Sequence, residues 1–149
     1  VVLAVFLPII ASQGGNAGMQ TVTVIIRDMA LGELSPGDGR KALFKELLLG
    51  LLIGTIIGLI VGLVSYLIAP KFGITAEMGA ILGLVVGAAM VLNLLAAALF
   101  GVLIPFALKF FRLDPALGSS ILITTVTDVA GFFFLLALAK WILTGSPQA

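Results

Sequence analysis

Charge in this chain is confined to short linkers between four long aliphatic stretches, and that segregation constrains the fold more than any motif. The stretches run over about 1–26, 42–69, 78–108 and 116–143. Each is long enough to cross a hydrocarbon layer about 30 Å thick, which takes roughly 20 helical residues. Hydrophobic residues make up 61% of the 149 and charged residues 10%. A soluble domain this size carries about a quarter charged residues to cover its surface. The chain is therefore expected to be an all-α membrane protein: one transmembrane helical bundle over 1–149, embedded in lipid. Its opening, VVLAVFLPII, has no basic residues before it and reads as the interior of a hydrophobic segment in a longer protein.

The linkers suggest an orientation. Arg27, Arg40, Lys41, Lys45, Lys109 and Arg112 flank the first and third linkers, whereas Lys71 and Lys140 lie at the opposite ends of the stretches. The positive-inside rule then places linkers 27–41 and 109–115 in the cytoplasm and the C-terminus outside. In a bacterial cell this is the inner membrane, crossed several times. Ser35-Pro36-Gly37-Asp38-Gly39 marks a turn within the first linker. Pro105 is expected to bend the last turns of the third segment.

Composition also removes whole classes of chemistry. The formal charge of +1 gives no basic field for nucleic acid, and there is no cysteine or histidine. Disulfides, thiolate metal sites and imidazole catalysis are excluded. Any metal handled here has to accept oxygen ligands, which suits Mg2+, Ca2+ or Mn2+.

Two glycine rows, Gly50, Gly54, Gly58, Gly62 and Gly79, Gly83, Gly87, repeat every four residues. On helices they form grooves in which a second backbone can approach closely. They predict packing within the bundle rather than chemistry. Asn93, in the third segment, is expected to make an interhelical hydrogen bond.

One charged residue lies deep inside a segment. In GSSILITTVTDVAGFFF, Asp128 is 12 residues beyond Ala116, about 18 Å along a helix at 1.5 Å per residue. A carboxylate near the midplane costs on the order of 2.5–3.5 kcal/mol on insertion scales, so it needs a polar cavity, a partner or an ion. Ser120, Thr124 and Asp128 recur at helical spacing, with Thr125 beside them, as one hydroxyl-and-carboxylate stripe. Any one of these hydroxyls can equally bond back to its own helix.

In the first segment, LPIIASQGGNAGMQT interrupts the aliphatic run. Asn16, Gln20, Thr23 and Arg27 trace one helical face, while Gly14, Gly15 and Gly18 either break the helix or admit another backbone. The economical arrangement turns this face and the Asp128 stripe toward one another around water, with Gly15, Gln20 and Thr125 as pore-lining candidates. One carboxylate per chain is thin provision for a divalent ion. A twofold dimer would pair two Asp128 side chains around a hydrated Mg2+, held weakly enough to leave again.

LPIIASQGGNAGMQT, RDMALGEL, NLLAAALFGVLIPFALKFFRLDPA and TTVTDVAGFF together resemble the membrane domain of the MgtE family of magnesium transporters, in order and spacing. The resemblance implies a homodimeric Mg2+ channel with its pore at the dimer interface. It also implies that Asp128 holds hydrated Mg2+, with Ser120, Thr124 and Asn16 as further metal-site candidates. Family domains have five helices, of which four are present here, and the cytoplasmic regulatory domains are absent. Many relatives carry a proline where this chain has Ile121, so helix opening near Ser120 and Thr124 is not implied here.

Other classes fit worse. An intramembrane aspartyl protease needs two carboxylates at depth, and rhomboid-type serine chemistry needs a histidine, so the chain is not expected to be an enzyme. An ion-coupled divalent cation exchanger and a poreless membrane anchor stay open as alternatives.

Overall fold

The computed structural model describes residues 2–34 and 38–145, and every regular element in them is helical. Helix α1 spans Val2–Ala30, α2 Gly39–Ile68, α3 Ala76–Phe110 and α4 Pro115–Gly145. A 3-10 turn, Ala69–Phe72, extends α2. Ser35, Pro36 and Gly37 of the expected turn lie outside the described residues.

The ends follow local chemistry. After α1 the chain passes through Gly32 at φ 73°, and the Glu33 N–H returns to the Asp28 carbonyl at 2.9 Å. That left-handed step closes the helix at little steric cost for glycine. Thr75 caps α3 by accepting from the Met78 N–H, and an Asp114 carboxylate oxygen accepts from the Ala116 N–H at 2.9 Å at the start of α4. The α3–α4 corner carries Arg112 at φ 59°. Helix α3 continues through Pro105 to Phe110.

Helix α3 is the central element and packs on all three others, whereas α1 and α2 barely touch. Its sequence explains the role: Gly79, Gly83 and Gly87 face α2, and small residues Ala89, Ala96, Ala97 and Gly101 let the remaining helices close in. The two glycine rows meet each other. A Cβ added to Gly58 would stand 2.7 Å from the Gly87 carbonyl oxygen, and one on Gly87 would stand 2.8 Å from that of Gly58. Gly62 and Gly83 repeat the arrangement. Each glycine hydrogen thus points at the opposing carbonyl, the Cα–H···O contact that recurs at close helix crossings.

Among the described residues, three helical stretches are long and apolar enough to cross a membrane: Gly39–Phe72, Ala76–Phe110 and Pro115–Ile142. Helix α1 has the length as well, and carries a polar centre from Ser12 to Gln20. The four expected segments are four helices, and among the described residues three of them are apolar enough to cross a membrane. The outward face of α2 is almost wholly aliphatic, with Leu52, Ile56, Leu59, Leu63 and Leu67 all more than half exposed. Such a surface suits lipid, and only contact with lipid or protein can hide it from water.

Candidate functional site

Helix α4 separates its side chains by row. Ser119, Ile123, Thr127, Gly131, Leu135 and Ala139, every fourth residue, are buried against the bundle. The next row round the helix is Ser120, Thr124 and Asp128, and its exposure rises toward the carboxylate. Asp128 is exposed and makes no hydrogen bond or ion pair among the described residues. A carboxylate in mid-helix, on a segment long enough to span a bilayer, is left without a cation among the described residues.

The threonine hydroxyls around it are committed to the backbone as donors. Thr124 Oγ1 donates to the Ser120 and Ile121 carbonyls at 3.0 and 3.1 Å, and Thr125 Oγ1 donates to that of Ile121 at 2.8 Å. Thr127 does the same toward Ile123 and Thr124. Helix α4 is continuous across Ile121, in keeping with the absence of proline there. A threonine oxygen whose proton is already used still offers lone pairs, so Thr124 adds an acceptor to the carboxylate of this row. Acceptors are what the water shell of a hydrated cation requires. Among the described residues no three or more carboxylates gather to hold a bare ion.

Helix α1 is unbroken through its glycine cluster. Of the two roles open to those glycines, close approach is the one found. Gly14 lies against the Asn93 side chain of α3, Gly18 against Ile123 of α4, and Gly15 faces Thr124 and Thr127, where an added Cβ would sit 3.8 Å from each. Asn93 itself is fully buried and donates from Nδ2 to the Ile10 carbonyl at 2.8 Å. It is the interhelical bond expected of it.

The polar residues of α1 divide. Gly15 and Thr124 are brought together by packing of α1 on α4. Ser12, Asn16, Gln20, Thr23 and Arg27 are exposed. Gln13, Asn16 and Gln20 also border a cavity of about 350 Å³ between α1, α2 and α3. No hydrogen bond joins Asn16 or Gln20 to Asp128.

That cavity holds a residue that sequence reasoning passed over. Glu46, two turns into α2, accepts a hydrogen bond from Thr21 Oγ1 at 3.0 Å. Its signal was present in the spacing: Glu46 stands four residues before Gly50, in line with the glycine row that faces the bundle. A carboxylate in that register points at neighbouring helices rather than at lipid.

Residues 7–138 match the family model MgtE, described as a divalent cation transporter. The chain is 37% identical over 141 residues to a magnesium transporter MgtE of Thermus thermophilus, covering 95% of this chain and 29% of that protein. It is 30% identical over 139 residues to the proteins of the same name from Bacillus subtilis and Enterococcus faecalis, covering 93% of this chain and again 29% of each. It thus spans less than a third of the length of the curated relatives it matches. By the extent of the family match and by these identities, the chain belongs to the MgtE family of divalent cation transporters.

Proposed function

We propose that this chain is the membrane pore of a Mg2+ channel, working as a twofold dimer that passes hydrated Mg2+ down its electrochemical gradient. The observation that carries the reading is Asp128, an exposed mid-helix carboxylate with no partner among the described residues. Left facing lipid it is costly. Facing its symmetry mate it is costlier still, unless a cation lies between them. The relatives' name, magnesium transporter, supplies the cation class.

In this mechanism Mg2+ keeps its water shell, because dehydration is expensive for so small an ion. The waters donate to Asp128 and its mate and to the lone pairs of Ser120 and Thr124. Asn16 on α1, with Gly15, Gln20 and Thr125, lines the path on either side of that site. Outer-sphere holding is strong enough to favour entry and weak enough to permit exit, as conduction requires. Linkers 27–41 and 109–115 face the cytoplasm, and regulation belongs to parts of the full-length protein outside this chain.

An ion-coupled exchanger is the second reading, since one carboxylate could alternate between a proton or Na+ and Mg2+. The test is Mg2+ entry into liposomes holding the full-length protein, with a voltage imposed and no counter-ion gradient. Entry under voltage alone supports the channel. Entry that requires a proton or Na+ gradient overturns it.

A further inference from the structure

The cavity between α1, α2 and α3 has features of a binding site that packing does not account for. Glu46 is half-buried at its edge, and its carboxylate has one partner, the Thr21 hydroxyl. The side-chain amides of Gln13, Asn16 and Gln20 border the same space, and none of them makes a hydrogen bond among the described residues. Gln13 is half-buried and Asn16 and Gln20 are exposed, so three amides beside a carboxylate keep their donors and acceptors available to something polar in that space. The volume, about 350 Å³, exceeds the roughly 180 Å³ taken by six waters at about 30 Å³ each. A hexahydrated divalent cation fits; a larger organic ligand would meet aliphatic walls with little to bind it.

The position is as informative as the chemistry. Gly15 lies beside Thr124 and Thr127, and the α4 residue Gly131 lies beside Ile10, which brackets the level of Asp128 on α1. Thr21 is one and a half turns or more beyond that level, toward Arg27. At 1.5 Å per residue this separates Glu46 from Asp128 by about 10 Å along the bundle axis, on the side of the Arg27 and Arg40 linker.

We propose that Glu46, with Gln13, Asn16 and Gln20, forms a second hydrated divalent-cation site on the linker side of Asp128. The inference rests on the reading that the polar face of α1 borders an ion path. It adds a carboxylate to that path, so that an ion leaving Asp128 has a second place to pause before it is free.

The test uses the full-length protein carrying Asp128→Asn, crystallised with Mn2+ as the probe, so that the Asp128 site does not contribute. Anomalous density between Glu46 and Gln20 is expected, and it is lost in Glu46→Gln. Thr21→Val, which removes the hydrogen bond but keeps the carboxylate, retains the density. If no density lies in the cavity, or if Thr21→Val abolishes it as fully as Glu46→Gln does, Glu46 serves to tie α2 to α1 and the site does not exist. Failure of the Asp128 reading shows differently, as wild-type Mg2+ flux through Asp128→Asn.

Discussion

The Asn93 side-chain amide donates to the Ile10 carbonyl at 2.8 Å, at a point where α1, α3 and α4 meet within contact of one another. Gly14 of α1 and Gly131 of α4 lie on either side of that amide, and neither could carry a larger side chain without striking it. One polar group in the core therefore fixes the height of α1 against the other two helices. The height of α1 in turn sets where Asn16 and Gln20 stand.

Asn93→Ala removes the bond and leaves a gap. Interhelical hydrogen bonds in membranes are worth about 0.6 kcal/mol on average and about 1.7 at most, and a cavity adds to the loss. A lower thermal midpoint in detergent is expected, from a destabilisation of about 1–3 kcal/mol. An unchanged midpoint would mean that α1 is held by packing alone.

Gly14→Ala tests the same junction from the other side. An added Cβ would land on the Asn93 amide, so α1 has to move or Asn93 has to rotate. Overpacking of this kind costs about 1–3 kcal/mol. The double variant with Asn93→Ala should recover part of that loss, because the side chain that is struck has been removed. Additive losses in thermal unfolding would show that the two residues do not press on one another.

At the α2–α3 crossing, Gly58→Leu is expected to prevent normal assembly, since its Cβ alone would stand 2.7 Å from the Gly87 carbonyl oxygen. Ile60→Leu, on the exposed face of the same helix, is the control and should behave as wild type. Size-exclusion profiles and yields of the two proteins decide the matter. A monodisperse Gly58→Leu protein at normal yield would refute the close-crossing account.

Asn16→Ala leaves the core untouched, because the Asn16 side chain is exposed and makes no hydrogen bond among the described residues. Stability should stay within about 0.5 kcal/mol of wild type, as for surface changes generally. Mg2+ conductance should fall by several-fold while selectivity over monovalent ions persists. Equal conductance in planar-bilayer recordings would remove Asn16 from the path.

The helices were legible because their signals are local and strong. Long aliphatic runs bounded by charge need no tertiary information, and the glycine rows at four-residue spacing announced the α2–α3 contact directly. Asn93 was legible for a related reason: a lone amide in an apolar segment has to find a partner. The glycine cluster of α1 was not decidable, since glycine permits both a broken helix and a close approach. What chose between them was the matching bulk of Asn93 and Ile123 on other helices.

Glu46 escaped notice because it sits near the start of a segment, where a charge is ordinary. Only the path of α2 past Thr21 brings it into contact with another helix. The converse holds for Asp128. Its depth could be read from its distance along the segment, but the row it occupies, one step round from the buried row of α4, emerges only once Ile123 and Leu135 are seen to face the bundle.

The central claim is that Asp128 and its symmetry mate hold the permeating ion. The most direct measurement is voltage-driven Mg2+ entry into liposomes containing full-length protein with Asp128→Ala, after cross-linking has established that the dimer is intact. Entry reduced to the level of protein-free liposomes is the expected result. Entry at the wild-type rate through an intact dimer would contradict the account.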